Sequence, residues 1–231
     1  MKQQHLIMKT NYHQALLPGI YYHLYNRTTG REKAFANDSD ISNFNKRWQA
    51  LLSPYMHHIA YCFIPNHFHF MVQIKSVHEW DLDVVKAQKT RIADELIRGE
   101  ADHNAFLSDQ IRRLFSGYTL WYNLKHHRHG SLFQEKLKRI ELKTESRLWH
   151  NLCYIHHNGI HHRLTEDYEG WKHSSYHNFF TPDWNWNNLH SSLSWLGNNG
   201  EEAKQNFLHE HLTFKHEWRN NVLNIEDDAF S

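Results

Sequence analysis

Apolar and polar residues alternate from His67 to Ile74, and this pattern predicts a β-strand. The even positions are all apolar, whereas the odd positions begin with two histidines: Phe68, Phe70, Val72 and Ile74 against His67, His69, Met71 and Gln73. Because successive side chains of a strand point to opposite faces, His67 and His69 project from the same side. Two imidazoles placed in this way can hold one metal ion, or they can be ordinary hydrogen-bonded histidines of a half-buried strand. The pattern alone leaves both interpretations open.

The remaining hydrophobic pattern predicts a mixed fold of strands and helices. Besides the strand at 66–74, aromatic and β-branched runs predict strands at 20–27, 58–64 and 132–142. Apolar residues at helical spacing predict helices at 38–52, 84–97, 106–124 and 144–158. We expect Asp38 or Ser39 to cap the first helix and Gly159 to end the last. The order of these elements favours an α+β fold in which an antiparallel sheet carries its helices on one face.

The chain divides into three regions by composition. Residues 1–17 read as a loose leader, and residues 18–180 form the main domain, with a polar insertion at about 75–105. Residues 181–231 form an extension that is rich in Trp, Asn and acidic side chains, with eight acidic residues against three Lys or Arg. One hypothesis is that this acidic extension covers a basic face of the main domain.

Overall composition narrows the classes of protein to consider. The net charge is +1 for 231 residues, so any surface for nucleic acid must be a local basic region. The two cysteines lie in apolar segments, which argues against a disulfide framework. No stretch has the length of a membrane span or of a signal-peptide core, and we expect a cytoplasmic protein.

The predicted helix at 144–158 carries two stripes of side chains. Leu148, Leu152 and Ile155 recur at core spacing, and a second stripe is polar: Arg147, Asn151, Tyr154 and Asn158. If the polar stripe meets the two histidines, the Asn158 amide could be a third metal ligand with the Tyr154 hydroxyl beside it. A phenol becomes a competent nucleophile when a base or a metal activates it. From spacing alone, Tyr154 is equally well explained as an ordinary tyrosine on the helix surface.

Several motifs, in order along the chain, resemble those of the REP-associated tyrosine transposases, which are single-tyrosine members of the HUH (histidine–hydrophobic–histidine) endonuclease superfamily. The similar segments are Tyr22-His23-Leu24-Tyr25-Asn26-Arg27, Pro65-Asn66-His67-Phe68-His69, Gly130-Ser131-Leu132-Phe133-Gln134-Glu135-Lys136, Tyr154-Ile155-His156-His157-Asn158 and Trp171-Lys172-His173-Ser174-Ser175-Tyr176. The resemblance extends from about residue 18 to residue 218. One departure is Gly159, which stands where the family usually has proline.

The resemblance implies a ferredoxin-like antiparallel sheet and a specific chemistry. Tyr154 would be the nucleophile, and His67, His69 and Asn158 would hold magnesium or manganese. The expected activity is cleavage and rejoining of single-stranded DNA at hairpin-associated sites through a 5′-phosphotyrosine intermediate, in a nucleoid-associated protein. The alternative is a domesticated relative that binds hairpin DNA without cutting it. The sequence leaves open whether the protein acts as a monomer or as a homodimer.

A local basic region agrees with a DNA partner. Residues 111–147 carry nine Lys or Arg against three Glu, and contacts to phosphates make DNA affinity salt-dependent. The residues predicted to bind DNA are Asn26, Arg27, Arg112, Arg113, Lys125, Arg128, Lys136, Lys138, Arg139 and Arg147. The aromatic residues Tyr118, Trp121 and Tyr122 either stack on unpaired bases or belong to the core.

The chain has 23 histidines, several of them in short clusters. We expect most of the clustered ones to face solvent or DNA, and a structural zinc site is the alternative. The clustered residues are His126, His127, His129, His156, His157, His161 and His162.

Overall fold

A four-stranded antiparallel sheet forms the centre of the protein. The computed structural model describes residues 14–30, 32–134, 136–180 and 193–219. The strands are β1 (Tyr21–Arg27), β2 (Met56–Ile64), β3 (His67–Ile74) and β4 (Lys138–Glu141), and their order in the sheet is β2-β3-β1-β4. Helix α1 (Asp38–Leu51) connects β1 to β2, and the segment from β3 to β4 contains α4 (His103–Lys125). This is the ferredoxin-like arrangement, and it confirms the predicted α+β class.

One face of the sheet packs on α1 and α4 through a dense aromatic core. The apolar positions of β3 point to this side, and the rings of Phe70 and Trp48 stack with centroids 3.9 Å apart. Phe44 of α1 contacts both Phe68 and Tyr118, the latter from α4. The even positions of the alternating pattern therefore form the main core, as the period of two requires.

The opposite face of the sheet is covered by α5 (Glu145–His161), so the prediction that the helices lie on one face was correct for α1 and α4 but wrong for α5. Leu148, Leu152 and Ile155 of α5 pack on this side, as their spacing predicted. Both faces of β3 are consequently buried, including His67 and His69. The alternation suggested a strand with one buried face, and this was wrong because α5 also buries the face that carries the two histidines.

Helix α5 does not end at Gly159, contrary to the prediction. It continues to His161, and the N–H of the capping residue His162 donates to the carbonyl oxygens of Asn158 and Ile160. A Cβ at position 159 would lie 2.9 Å from Cβ and Cγ of Trp171. The glycine is therefore explained by the close approach of the Trp171 side chain to the helix backbone, and not by a requirement for a helix stop.

The predicted single helix at 84–97 is divided into α2 (Leu82–Ala87) and α3 (Arg91–Ile97). Lys89 between them has a φ of 50°, and a right-handed helix cannot include a residue with this backbone conformation. The Thr90 hydroxyl caps the start of α3. Trp80, Val85 and Ala93 from this insertion join the main core. The insertion is thus a folded part of the domain on the α4 side.

Other boundaries differ from the predictions in small ways. Strand β4 is only 138–141, and Phe133 forms an isolated bridge with Thr28 in place of a continuous strand. The cap of α1 is Asn37, not Asp38 or Ser39. At the end of the predicted leader, Leu16 is buried in the main core.

The described part of the C-terminal extension packs on α5. Helix α6 (Gly200–Arg219) places Phe207 and His211 against the side of α5 that carries His156. The hypothesis that the extension covers the basic face was wrong for residues 193–219, because their apolar side chains are buried beside α5, away from α4. Residues 181–192 and 220–231 lie outside the described part of the chain.

Candidate active site

The structure brings His67, His69, Tyr154 and Asn158 together between β3 and α5. The ring centroids of His67 and His69 are 5.2 Å apart, and those of His69 and Tyr154 are 5.5 Å apart. His67, His69 and Asn158 are buried, whereas Tyr154 is half-buried. The period of two places both histidines on one face of β3, and the one-turn spacing places Tyr154 and Asn158 on one face of α5. These two faces meet because α5 lies across β2 and β3 with its polar stripe toward the histidines.

Asn158 presents an oxygen to this site. Its side-chain Nδ2 donates to the backbone carbonyl of Tyr154 at 2.8 Å, one turn earlier. Its Oδ1 is buried and, among the described residues, accepts no hydrogen bond of ordinary geometry. A buried amide oxygen without such a bond is costly unless a ligand or a neighbouring group satisfies it. Hydrogen bonding between His67 and Asn158 opposes the fall in the pKa of that histidine, so the amide lies beside the ring and His67 is its neighbouring group.

The two histidines of β3 are neutral at physiological pH. Burial lowers the pKa of His67 to about 3, with further lowering by His162 and Arg27. Burial also lowers the pKa of His69 well below its ordinary value, and the neighbouring His23 adds to this effect. A neutral imidazole keeps the lone pair that a metal ligand needs.

These side chains fit a divalent metal with open coordination positions. Within the described ranges, no three His, Cys, Asp or Glu side chains converge on a common point. A metal held by the two histidines would therefore take its third protein ligand from another type of group, and the Asn158 amide oxygen is the predicted one. Two imidazoles and one amide oxygen leave positions for water and phosphate oxygens, as magnesium and manganese sites usually do. The alternative of a structural zinc site formed by the clustered histidines finds no such group of ligands in the described residues.

Two further histidines adjoin the site and were not predicted as part of it. His23 of β1 has its Nε2 2.9 Å from Nδ1 of His69, and the His162 ring lies 4.7 Å from that of His67. The alternation along β1 already places His23 on the same face as Tyr25. The pairing of β1 with β3, which brings His23 to His69, is a tertiary feature that periodicity does not reveal.

Several predicted DNA-binding residues line one groove between α4 and β4. The groove has a volume of about 850 Å³, and its floor includes Phe115 and Phe133. The predicted residues that line it are Asn26, Arg112, Lys136 and Arg139. The groove lies on the α4 side of the sheet, opposite to the site of Tyr154.

Three other predicted residues lie near the site or on its side of the sheet. Arg27 is paired with His67 in the sheet, and the Lys138 ammonium lies 5.5 Å from the centroid of the Tyr25 ring. Arg147 is exposed in the first turn of α5. Successive residues of the edge strand β4 thus present Lys138 toward one face and Arg139 toward the other.

The remaining three predicted residues make contacts within the protein. Arg113 donates to Gln88 and Gln110, Lys125 pairs with the buried Asp40 at 2.6 Å, and Arg128 donates to Asn123 at 2.6 Å. These contacts fix α4 to its neighbours. A role of these three side chains in DNA binding stays a prediction.

The structure also decides the open question about the aromatic residues of α4. Tyr118 and Tyr122 are buried, and their hydroxyls donate to the carbonyls of Ala34 and Lys33. They belong to the core and are not exposed for stacking on bases, whereas Trp121 is half-buried.

Most of the clustered histidines are exposed, as expected, but His156 and His157 are buried. His156 lies between Ser175 and His211, with nitrogen–oxygen and nitrogen–nitrogen distances of 2.9 and 2.8 Å. His157 lies beside the hydroxyl of Tyr168 at 3.3 Å. These two are buried because α6 covers this side of α5. As a separate point, none of the helices in the described ranges combines the length and the hydrophobicity that a membrane span needs.

Comparison with known proteins agrees with the fold described above. No protein-family model matches the chain. No curated protein matches it either. Among solved structures, the chain is similar to a REP-associated tyrosine transposase bound to a REP hairpin, with a TM-score of 0.52 and 13% sequence identity. The similarity covers 74% of this chain and 86% of the transposase chain. At this identity the likeness shows a shared fold.

Proposed function

We propose that this protein is a metal-dependent tyrosine endonuclease and transposase that cleaves and rejoins single-stranded DNA at hairpin-associated sites. The observation that carries the proposal is the convergence of Tyr154, Asn158, His67 and His69 in one largely buried site. The likeness in fold to a REP-associated tyrosine transposase bound to a REP hairpin supports the same class of reaction.

Tyr154 is the nucleophile in this proposal. Its Oη forms a bond to the phosphorus of a DNA phosphodiester, the phenolic proton passes to water, and the bond from phosphorus to the 3′ oxygen breaks. The 3′ oxygen leaves and takes up a proton, while the 5′ phosphate stays on Tyr154 as a phosphotyrosine ester. Attack by another 3′ hydroxyl on the same phosphorus releases Tyr154 and rejoins the strand. The ester preserves the energy of the original phosphodiester, so rejoining the strand needs no nucleoside triphosphate.

The buried polar groups prepare the site for a phosphate. His67, His69 and Asn158 would hold magnesium or manganese, which when bound neutralises charge on the phosphate oxygens. The protein keeps both imidazoles neutral through burial. The hydrogen bond from Asn158 Nδ2 to the Tyr154 carbonyl fixes the amide on the same turn of α5 as the nucleophile. Such fixed groups reduce the reorganisation required when the substrate binds.

The groove between α4 and β4 supports hairpin DNA as the partner. Lys136 and Arg139 supply positive charge there, and Asn26 supplies an amide. Arg112 also lines the groove, but its guanidinium is paired with Asp109 at 2.6 Å. The apolar floor offers a surface for an unpaired base, and the flanking cations suit a phosphate backbone. Because β4 is an edge strand, DNA held in the groove can continue around this edge, past Lys138, toward the face of the sheet that carries Tyr154.

The decisive experiment is a search for a covalent protein–DNA adduct. Purified protein is incubated with single-stranded hairpin oligonucleotides and Mn²⁺, and the adduct is detected as a band of higher mass on a denaturing gel. We expect an adduct with the wild type and none with Tyr154→Phe. Tyr61→Phe is the matched control, because Tyr61 is also half-buried but lies on β2 away from the site. It should form the adduct as the wild type does.

The other outcomes separate the competing functions. Tight binding of hairpins with no adduct from any variant would favour the non-cleaving DNA-binding relative. Cleavage that survives Tyr154→Phe would indicate a metallohydrolase that uses water as its nucleophile. The double variant His67→Ala, His69→Ala should lose cleavage and keep most of its DNA affinity, and unchanged cleavage would refute the assignment of the metal ligands.

A further inference from the structure

His23 and His69 form a buried pair in the sheet, on the face that meets α5. Nε2 of His23 lies 2.9 Å from Nδ1 of His69, and their rings are stacked with centroids 5.1 Å apart. Both side chains are at least 95% buried, and the Tyr154 ring lies 6.0 Å from that of His23. His23 is thus held against a proposed metal ligand without belonging to the proposed ligand set itself.

The distance between the two nitrogens requires one proton between them. Both rings are buried, and burial disfavours the charged form of a histidine, so each ring is neutral and carries a single N–H. Either His69 donates from Nδ1 to His23, or His23 donates from Nε2 to His69. In the first case the Nε2 of His69 has a lone pair. In the second case Nε2 of His69 carries the proton and cannot bind a metal.

We propose that His23 is a positioning residue: it accepts the Nδ1 proton of His69 and so holds His69 in the tautomer whose Nε2 can bind a metal. The inference rests on the metal site of the proposed function. A ligating histidine commonly donates its second ring N–H to a carboxylate, a carbonyl or water, which fixes its tautomer and orientation. Here a neutral imidazole from the neighbouring strand takes that place.

The geometry of the sheet explains why His23 can do this. Tyr25 of β1 is the residue directly opposite His69 of β3, and His23 lies one pleat further along the same face. The diagonal neighbour across an antiparallel pair is within reach of a long or aromatic side chain. The Tyr25 ring also stacks on His69, with centroids 5.7 Å apart, so the imidazole is held on two sides.

Two substitutions separate the role as hydrogen-bond acceptor from simple packing. In His23→Gln, the amide oxygen can still accept the Nδ1 proton of His69. In His23→Phe, a ring of similar shape remains but no acceptor does. His58→Phe is the matched control, because His58 is also a histidine of the sheet, half-buried, but lies on the α1 side beside Trp48 and Phe70.

The first readout is the affinity for Mn²⁺ measured by calorimetry without DNA. Loss of a group that orients a metal ligand typically weakens binding about 10- to 100-fold, and we expect this for His23→Phe. His23→Gln should stay within a few-fold of the wild type, and His58→Phe should be unchanged. Wild-type affinity in a folded His23→Phe would overturn the inference.

The second readout is the tautomer of His69 in the metal-free wild type, obtained from the ¹⁵N chemical shifts of its ring and assigned through the His69→Ala spectrum. A proton on Nδ1 supports the inference, and a proton on Nε2 overturns it, even if His23→Phe does not fold. This measurement also separates the two proposals. A wild type that binds no Mn²⁺ would refute the metal site of the proposed function, whereas the tautomer alone decides the role of His23.

Discussion

Replacing Gly159 by alanine tests the packing that holds α5 beside the site. The new Cβ would lie 2.9 Å from Cβ and Cγ of Trp171 and 3.1 Å from Cδ1. These are atoms near the root of a large, half-buried side chain. Its Nε1–H donates to the carbonyl of Phe63 at 2.8 Å, so the ring cannot move aside without losing this bond.

The expected change follows from two opposing effects. Alanine within a helix is favoured over glycine by about 1 kcal/mol, because glycine loses more backbone freedom on folding. Overpacking of a close contact costs about 1–3 kcal/mol, and a lost hydrogen bond costs about 1 kcal/mol more. We therefore expect Gly159→Ala to lower the free energy of unfolding by about 1–3 kcal/mol.

Gly117 provides the matched control, because it also lies inside a helix. A Cβ at Gly117 would meet Nη1 of Arg47 at 2.6 Å, which is the far end of a flexible side chain. Arg47 can rotate the end of its guanidinium away while its Nε keeps the bond to Asn43 Oδ1, so most of the gain in helix propensity remains. Gly117→Ala should raise the free energy of unfolding by up to about 1 kcal/mol.

Urea unfolding at pH 7, followed by circular dichroism, measures both variants against the wild type. The two alanine substitutions should shift the midpoint in opposite directions with similar slopes. A Gly159→Ala variant as stable as the wild type, or more stable, would refute the argument that Trp171 requires glycine here. It would support the simpler sequence-based interpretation in which Gly159 only marks the end of a helix.

Three further predictions concern buried polar groups and the groove. Burial lowers the pKa of His58 to about 3, so below pH 6.5 the unfolded chain binds a proton that the folded chain does not, and stability is lost as pH falls. His58→Gln should remove about 2 kcal/mol of the difference in unfolding free energy between pH 7 and pH 5, measured by urea unfolding. Ser175→Ala removes a hydroxyl that forms hydrogen bonds with His156 of α5 and with the backbone N–H of Tyr61 in β2. The free energy of unfolding should fall by about 2 kcal/mol. An unchanged urea midpoint would contradict these hydrogen bonds. Lys136→Gln and Arg139→Gln remove cations that line the groove, so each should weaken hairpin binding and reduce its logarithmic salt dependence by about 1. Arg113 does not line the groove, so Arg113→Gln should leave the salt slope unchanged in titrations at several salt concentrations.

The sequence by itself determined the features that depend on local spacing. The period of two predicted β3 and placed His67 and His69 on one face, and helical spacing separated Tyr154 and Asn158 from the core side of α5. The α+β class followed from the order of the elements. These predictions succeeded because neighbours at i, i+2 or i, i+4 share a face in any fold that contains the strand or the helix.

Only the tertiary structure decided which groups those faces meet. His23 reaches His69 across 46 residues, and Trp171 reaches both Gly159 and the carbonyl of Phe63. Neither contact produces a periodic pattern in the sequence. His23 was therefore not predicted to adjoin the site, and Gly159 was interpreted as a helix stop. The burial of His156 likewise depends on α6. A composition rich in histidine specifies no partners, because the partner of each imidazole is fixed by strand pairing and helix packing over long distances along the chain.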